Sequence, residues 1–148
     1  MQTEVEVKFL NVDHDKIREN LQANGAQLVL PMRTMRRVIM DYPDWRLQSQ
    51  SSYVRVRDEG DKITLTYKRF DELSIDGAKE VQTHVQDYQT TVELLSHLGL
   101  VVTSTQQTRR ETWQMGECEV VLDEWPWLKP YIEIEGPDVK SLQSVAKK

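Results

Sequence analysis

The sequence predicts an α+β fold in which antiparallel strands dominate. Several segments alternate charged with aliphatic residues, and alternate residues of a β-strand point to opposite faces of a sheet. Each of these strands would therefore have one ionic face and one apolar face. Turn signals such as Gly60 and Gly116 separate neighbouring segments, and few segments show helical periodicity. The clearest alternating segments are 4–8, 54–57, 63–68, 120–123 and 131–135.

Strands and helices follow from this alternation, from β-branched residues and from capping signals. Three helices are predicted to begin at the capping residues Asp13, Asp87 and Asp138, and the first two end near Asn24 and Gly99. Their apolar faces, which include Ile17, Leu21, Val92, Leu95 and Leu142, would cover the apolar face of the sheet. Eight strands are predicted at 3–9, 35–41, 52–58, 62–69, 79–86, 101–113, 117–123 and 130–135.

Length and composition narrow the class of protein. The 148 residues fit one domain with an ordinary core. The net charge of -5 disfavours a general nucleic-acid surface, which needs basic excess to neutralise phosphates. Cys118 is the single cysteine and is expected to be buried, and neither a signal peptide nor a long apolar run is evident. We therefore expect one cytoplasmic domain that binds neither nucleic acid nor a membrane.

The direction of the ionic face stays open when only the residues are considered. A two-layer α+β protein would pack the apolar face on helices and leave the ionic face in water, which is a common arrangement. A closed barrel of eight antiparallel strands would instead bring the charges together around a lumen. Like charges two residues apart in one strand, as at Glu4 and Glu6 or Arg55 and Arg57, repel each other unless something compensates them.

An ExExK motif at 4–8 is followed in order by Arg-x-Arg at 55–57, Lys68, Glu80, Arg110 and two acidic segments around Asp123 and 133–135. The ExExK motif and the six elements that follow it resemble the CYTH superfamily of triphosphate tunnel metalloenzymes, from residue 4 to about 136. This superfamily includes class IV adenylate cyclases, thiamine triphosphatases and inorganic triphosphatases. The resemblance implies an eight-stranded antiparallel β-barrel, or tunnel, with helices packed on the outside and one CYTH-like domain over 1–148.

The chemistry of these motifs suits a polyphosphate held together with metal ions. Arginine offers a planar fork to phosphate oxygens, and lysine acts as a compact positive charge. Clustered carboxylates would repel the phosphates unless a hard divalent cation, Mg²⁺ or Mn²⁺, bridged them. The resemblance implies that the triphosphate is bound by Lys8, Arg55, Arg57, Lys68 and Arg110. It implies metal ligands at Glu4, Glu6, Glu80, Asp123, Glu133 and Glu135, and catalytic roles for Glu4, Glu6, Lys8 and Lys68.

Three functions are compatible with these residues. The first is metal-dependent hydrolysis of the terminal phosphoanhydride of ATP, thiamine triphosphate or tripolyphosphate. The second is the class IV adenylate cyclase reaction, which converts ATP to cyclic AMP and pyrophosphate. The third is a non-catalytic module that binds triphosphate or polyphosphate. The sequence leaves open which metal is preferred and whether the protein is a monomer or a homodimer.

The chain departs from the family pattern in two places. Gln82 stands where many members carry a second acid two residues after the Glu80 position. The family usually continues past the last acidic strand with a full helix and a further segment, whereas this sequence ends at Lys148. We therefore expect a domain shortened at its C-terminus, either as a short variant or as a piece, and its full activity is in question.

Two further groups of polar residues are expected to be solvated. His14 and His97 lie on predicted helices and read as surface residues. The basic cluster at 32–37 enters the second strand and is typical of a solvated edge, although one of its arginines is a candidate for the mouth of the tunnel.

Overall fold

The computed structural model describes residues 2–71 and 77–146, with the side chains of 2–4 and 142 outside that description. The strands are β1 (Gln2–Phe9), β2 (Gln27–Asp41), β3 (Ser52–Asp58), β4 (Ile63–Phe70), β5 (Ala78–Val85), β6 (Val101–Met115), β7 (Cys118–Glu124) and β8 (Tyr131–Gly136). The helices are α1 (His14–Ala23), α2 (Tyr88–His97) and α3 (Val139–Ala146), with one 3₁₀ turn at Gln48–Gln50. The predicted Leu142 contact falls outside the described side chains.

Strand pairing confirms the predicted fold class. The strands follow the order β1-β5-β4-β3-β2-β6-β7-β8, which is the connectivity of a closed barrel. The strands pair in antiparallel fashion in β2–β3, β3–β4, β4–β5, β6–β7 and β7–β8, and β8 pairs with β1 in the same way. Over residues 2–71 and 77–146 the chain therefore forms an α+β fold of eight antiparallel strands and three helices.

The second strand is the main departure from the predicted boundaries. It begins at Gln27, eight residues before the expected start at 35. Pro31 lacks an amide hydrogen and usually marks the edge or the end of a strand, which is why the sequence suggested a later start. The strand nevertheless runs through this proline, so the first half of the basic cluster at 32–37 is strand and not connection.

The chain falls into two compact units. The central unit contains residues 34–107 with 1–3, and the terminal unit contains 4–33 with 108–148. The single-domain organisation expected from the sequence stays a prediction. Among the described residues, no helix is both long and apolar enough to span a membrane.

In the central unit, α2 covers the apolar face of β2 to β4. Its first turn is capped by Asp87, whose carboxylate accepts a hydrogen bond from the Thr90 amide at 2.7 Å. Of the α2 residues expected to face inward, Val92 and Leu95 pack on the core of this unit. The same expectation for Leu98 is wrong, because this residue caps the C-terminal end of the helix and is 67% exposed. The buried core residues are Val38, Met40, Val56 and Leu100, and the side chains packed on them include Val54, Leu65, Val92 and Leu95.

In the terminal unit, α1 covers the apolar face of β1, β7 and β8. Asp13 caps this helix and accepts a hydrogen bond from the Asp15 amide at 3.0 Å. Ile17 and Leu21 line one cavity together with apolar residues of the strands. The buried residues on the apolar face of these strands are Val5, Cys118, Val120, Leu122, Ile132 and Ile134. Burial, with the nearby Glu117 and Asp138 charges, raises the pKa of the Cys118 thiol, as suits a packing residue.

Candidate functional site

Three carboxylates converge on the ionic face of the terminal unit. The register of β1 and β8 places Glu6 opposite Glu135 and Lys8 opposite Glu133. Oxygen atoms of Glu6, Glu133 and Glu135 all lie within 4.8 Å of one another. Such proximity is unfavourable without positive charge, and a set of carboxylate oxygens matches the ligands that Mg²⁺ and Mn²⁺ prefer. These three residues therefore fit a site for a hard divalent cation.

Lys8 supplies part of the compensating charge. Its Nζ lies 3.4 Å from Oε1 of Glu133, whose side chain is only 13% exposed. The same ammonium lies 5.0 Å from the centre of the Tyr131 ring. The lysine side chain itself is half exposed. Lys8 is thus paired with the acidic cluster, and half of its side chain stays accessible to solvent.

Arg110 and Asp123 are paired with each other. They lie opposite in the β6–β7 register, and Arg110 Nε and Nη2 donate to the two oxygens of Asp123 at 2.6 and 2.8 Å. Burial lowers the pKa of Arg110, but the Asp123 carboxylate more than offsets burial, so this pKa lies above its ordinary value. Two residues expected to bind different ligands, a phosphate and a metal, therefore form one ion pair here. Asp123 is not among the three clustered carboxylates.

His14, the first residue of α1, contacts the start of β8. Its Nε2 donates to the Tyr131 carbonyl oxygen at 3.0 Å, and the residue is buried. The expectation that His14 is solvated is therefore wrong, because the first turn of α1 docks on the start of β8. His97, in contrast, has an 81% exposed side chain, as predicted. Burial, followed by the charges of Asp123 and Glu133, raises the pKa of Tyr131 well above its ordinary value.

The ionic face of the central unit is mainly basic. Arg55 and Arg57 of β3 face Thr66 and Thr64 of β4, and Lys68 continues the same face. All three cationic residues are no more than 8% exposed. Burying several positive charges so close together is costly unless anions or dipoles compensate them. This surface is therefore suited to a polyanion.

Arg55 has little compensation among the described residues. Its one hydrogen bond there is from Nη2 to Thr66 Oγ1 at 3.4 Å, and its buried Nε makes none. Thr66 in turn donates to Gln82 Oε1 at 2.7 Å. A buried guanidinium with one long hydrogen bond has donors left for phosphate oxygens.

Arg57 is compensated by Glu59, a residue that the sequence did not single out. Arg57 Nε and Nη2 donate to Glu59 Oε2 at 3.2 and 3.1 Å, and Thr64 Oγ1 donates to the same oxygen at 2.9 Å. Burial raises the pKa of Glu59, but the charge of Arg57 and the bond from Thr64 outweigh burial and lower it overall. The sequence contained one signal, since Glu59 continues the odd-numbered spacing of Arg55 and Arg57 into the turn.

Two more residues complete the central surface. The β4–β5 register places Glu80 opposite Lys68, and Glu80 is not among the three clustered carboxylates. Arg37 of the basic cluster is 5% exposed and lies opposite Arg57, so the solvated edge expected there is wrong at this position. Arg36 points the other way, toward Asp58, with a 56% exposed side chain. Alternation along β2 explains why neighbouring arginines differ.

The predicted site residues therefore fall into two groups. The terminal unit carries Glu6, Lys8, Arg110, Asp123, Glu133 and Glu135, and the central unit carries Arg55, Arg57, Lys68 and Glu80. Glu4 lies in β1, but its side chain is outside the described part of the chain, so its role stays a prediction.

Comparison with known families and structures gives one consistent result. The CYTH domain family matches residues 2–148. A protein from Pyrococcus horikoshii OT3 has a similar fold, with a TM-score of 0.81 and 22% identity over 97% of this chain and 88% of its own. A putative adenylate cyclase from Vibrio parahaemolyticus has a TM-score of 0.82 and 17% identity over 99% of this chain and 83% of its own.

A third similar structure is a putative adenylyl cyclase from Hippeastrum, described as having a dominant triphosphatase activity. It has a TM-score of 0.74 and 16% identity, and covers 97% of this chain and 84% of its own. A comparison with curated proteins gives no significant match. At these identities the solved structures establish the shared fold.

Proposed function

This chain belongs to the CYTH family, and we propose that it is a divalent-metal-dependent enzyme that hydrolyses the terminal phosphoanhydride of a triphosphate. The observation that carries this proposal is the group of Glu6, Glu133 and Glu135, whose oxygens lie within 4.8 Å of one another. A protein that only binds polyphosphate needs cations and has no use for three adjacent carboxylates. The carboxylates thus favour a metal-dependent reaction over the non-catalytic hypothesis.

The acidic cluster has a defined role in this proposal. Glu6, Glu133 and Glu135 would hold Mg²⁺ or Mn²⁺, with Glu4 as a further candidate ligand. When bound, such a cation neutralises phosphate charge and lowers the pKa of a coordinated water. Lys8 balances the charge of Glu133 and donates to a phosphate oxygen. Asp123 orients Arg110, so that this arginine presents its remaining donors to the substrate.

The basic surface of the central unit would bind the phosphate chain. Arg55 offers unused donors, Lys68 adds a compact charge, and Arg57 is held in one orientation by Glu59. The hydroxyl of Thr66, which is fully buried, orients Arg55. Fixed donors of this kind cost little reorganisation when phosphate charge builds up during the reaction. Glu80, opposite Lys68, limits the net positive charge of the surface.

A product assay tests the proposal. The protein is incubated with ATP, thiamine triphosphate or tripolyphosphate, each with Mg²⁺, with Mn²⁺ and with excess chelator. We expect orthophosphate release that depends on the added metal. Cyclic AMP and pyrophosphate from ATP would instead support the cyclase reaction, and metal-independent binding without turnover of any of the three would support the non-catalytic module. The cytoplasmic location and the choice between monomer and homodimer stay predictions.

A further inference from the structure

Glu59 is a buried carboxylate on a basic surface. The residue is 6% exposed, and its Oε2 accepts hydrogen bonds from Arg57 and from Thr64. The β3–β4 turn holds it in place, because the Glu59 amide donates to the Lys62 carbonyl at 2.8 Å. Gly60 allows this turn with a φ of 91°. The turn therefore fixes the backbone of Glu59, and Arg57 and Thr64 hold its carboxylate.

We propose that Glu59 is a resident counter-charge for the phosphate-binding surface of the central unit. It is a positioning residue that acts through Arg57, and its negative charge limits how tightly this surface holds polyphosphate anions. The inference deepens the proposed function, because it assigns to the same surface a residue that favours release of the product.

The surroundings of Glu59 indicate why a counter-charge is needed. Arg57 lies directly opposite Arg37 across the β2–β3 pair. Arg55 lies two residues before Arg57 on the same strand and therefore on the same face. Like charges in these positions repel each other, and an uncompensated buried guanidinium is strongly unfavourable. A carboxylate at Glu59 removes this penalty when no anion is bound. The same carboxylate repels a phosphate that approaches Arg57.

The contrast between Arg55 and Arg57 supports this assignment. Two donors of Arg57 point at one carboxylate oxygen, whereas Arg55 donates to a neutral threonine at 3.4 Å. Both arginines have 8% exposure and lie on the same strand. The strand therefore presents one compensated and one largely uncompensated guanidinium. A surface with both uncompensated would bind polyphosphate more tightly.

A purely structural role for Glu59 makes a different prediction. If Glu59 served only to keep Arg57 folded, its removal would weaken anion binding or leave it unchanged. If Glu59 is a counter-charge, replacing it with the isosteric neutral glutamine strengthens binding, since an oxygen acceptor for Arg57 remains while the negative charge is lost. The sign of the change in affinity separates the two roles.

The experiment is a calorimetric titration of the full chain with tripolyphosphate at low salt in excess chelator. We expect Glu59→Gln to lower the Kd about tenfold relative to wild type, and added salt to reduce this difference. Asp58→Asn is the matched control, because it removes the same charge from the adjacent position, where the side chain is 31% exposed and pairs with Arg36. This control is expected to change the Kd by less than about twofold.

A Kd for Glu59→Gln that is unchanged or weaker would overturn the inference, and so would an equal gain in Asp58→Asn. Thermal unfolding without ligand checks that each variant is folded. Should Glu59→Gln not fold, Glu59→Ala takes its place, with a lower Kd again expected. If wild type does not bind tripolyphosphate at all, the phosphate-binding part of the proposed function fails together with this inference. If wild type binds and the Glu59 variants match it, only the inference fails.

Discussion

The central unit has a mainly basic ionic face on which one carboxylate, Glu59, is paired with Arg57. The terminal unit has a mainly acidic ionic face on which one arginine, Arg110, is paired with Asp123. In both units the carboxylate is buried, and the arginine donates to it through Nε and Nη2. Each face therefore carries residues of the minority charge next to residues of the majority charge, and Lys8 beside Glu133 and Glu80 opposite Lys68 are further examples.

The difference lies in the charge that remains. In the central unit it is positive, and Arg55 has only one long hydrogen bond among the described residues. In the terminal unit it is negative, with Glu6, Glu133 and Glu135 close together. The first face is therefore suited to anions and the second to cations.

The largest expected effect concerns the Arg110–Asp123 pair. Replacing Arg110 with Ala leaves the Asp123 carboxylate, which is 1% exposed, without its partner. Removing one member of a buried ion pair costs about 3–5 kcal/mol of the free energy of unfolding. Urea unfolding measures this loss.

Arg109→Ala is the matched control, since Arg109 pairs with Glu124 one position along the same strands at 3.4 Å with a 57% exposed side chain. We expect this exposed pair to contribute less than about 1 kcal/mol. The double variant Arg110→Ala with Asp123→Ala should recover much of the stability. Equal losses for the buried and the exposed pair would contradict the role given to burial.

The next effect concerns catalysis at the acidic cluster. Glu133→Gln or Glu135→Gln should lower kcat/KM at least about a hundredfold, because a carboxylate that contacts the metal is lost. The thermal stability should stay equal or rise, since repulsion among like charges is relieved. Orthophosphate release from tripolyphosphate with Mg²⁺ or Mn²⁺ measures the rate.

Glu119→Gln provides the comparison for these variants. Glu119 lies opposite Glu135 in the β7–β8 register and is exposed, but it is not one of the three clustered carboxylates. It should keep a rate within about threefold of wild type, as expected for an exposed charge in high dielectric. Wild-type rates in both cluster variants would refute the metal site.

The smallest effect concerns acid stability in the central unit. The pKa of Glu59 lies below its ordinary value of 4.5, because Arg57 and Thr64 outweigh burial. A carboxyl with a lowered folded pKa stabilises the protein above its unfolded pKa, and this stabilisation is lost as the pH falls through the folded pKa. Wild type should therefore exceed Glu59→Gln by about 1–2 kcal/mol at neutral pH, with the difference shrinking in acid. Urea unfolding at several pH values measures it, and a difference that grows as the pH falls would exclude this assignment.

Much of the fold could be predicted from the sequence, because alternation determines which face of a strand each residue occupies. The positions of Val54, Leu65, Val92 and Leu95 in the core of the central unit follow from spacing alone. The first half of β2 could not be predicted, because it contains Pro31 and a proline usually indicates the end or the edge of a strand.

The candidate site could be predicted as a set of residues but not as a set of pairs. The Arg110–Asp123 contact depends on the β6–β7 register, and short-range patterns do not specify a register. Glu59 has the spacing of the strand, but it lies in a turn, where acidic residues are usually solvated. The burial of His14 depends on how α1 docks, which helical periodicity does not determine.

The most direct test of the central claim measures both ligands on two variants. Tripolyphosphate affinity in excess chelator and Mn²⁺ affinity without phosphate are determined by titration for wild type, Arg55→Ala and Glu133→Gln. The account predicts that Arg55→Ala weakens tripolyphosphate binding about tenfold or more and leaves Mn²⁺ affinity nearly unchanged, while Glu133→Gln does the reverse. Loss of Mn²⁺ binding in Arg55→Ala, or loss of tripolyphosphate binding in Glu133→Gln with Mn²⁺ binding intact, would contradict it.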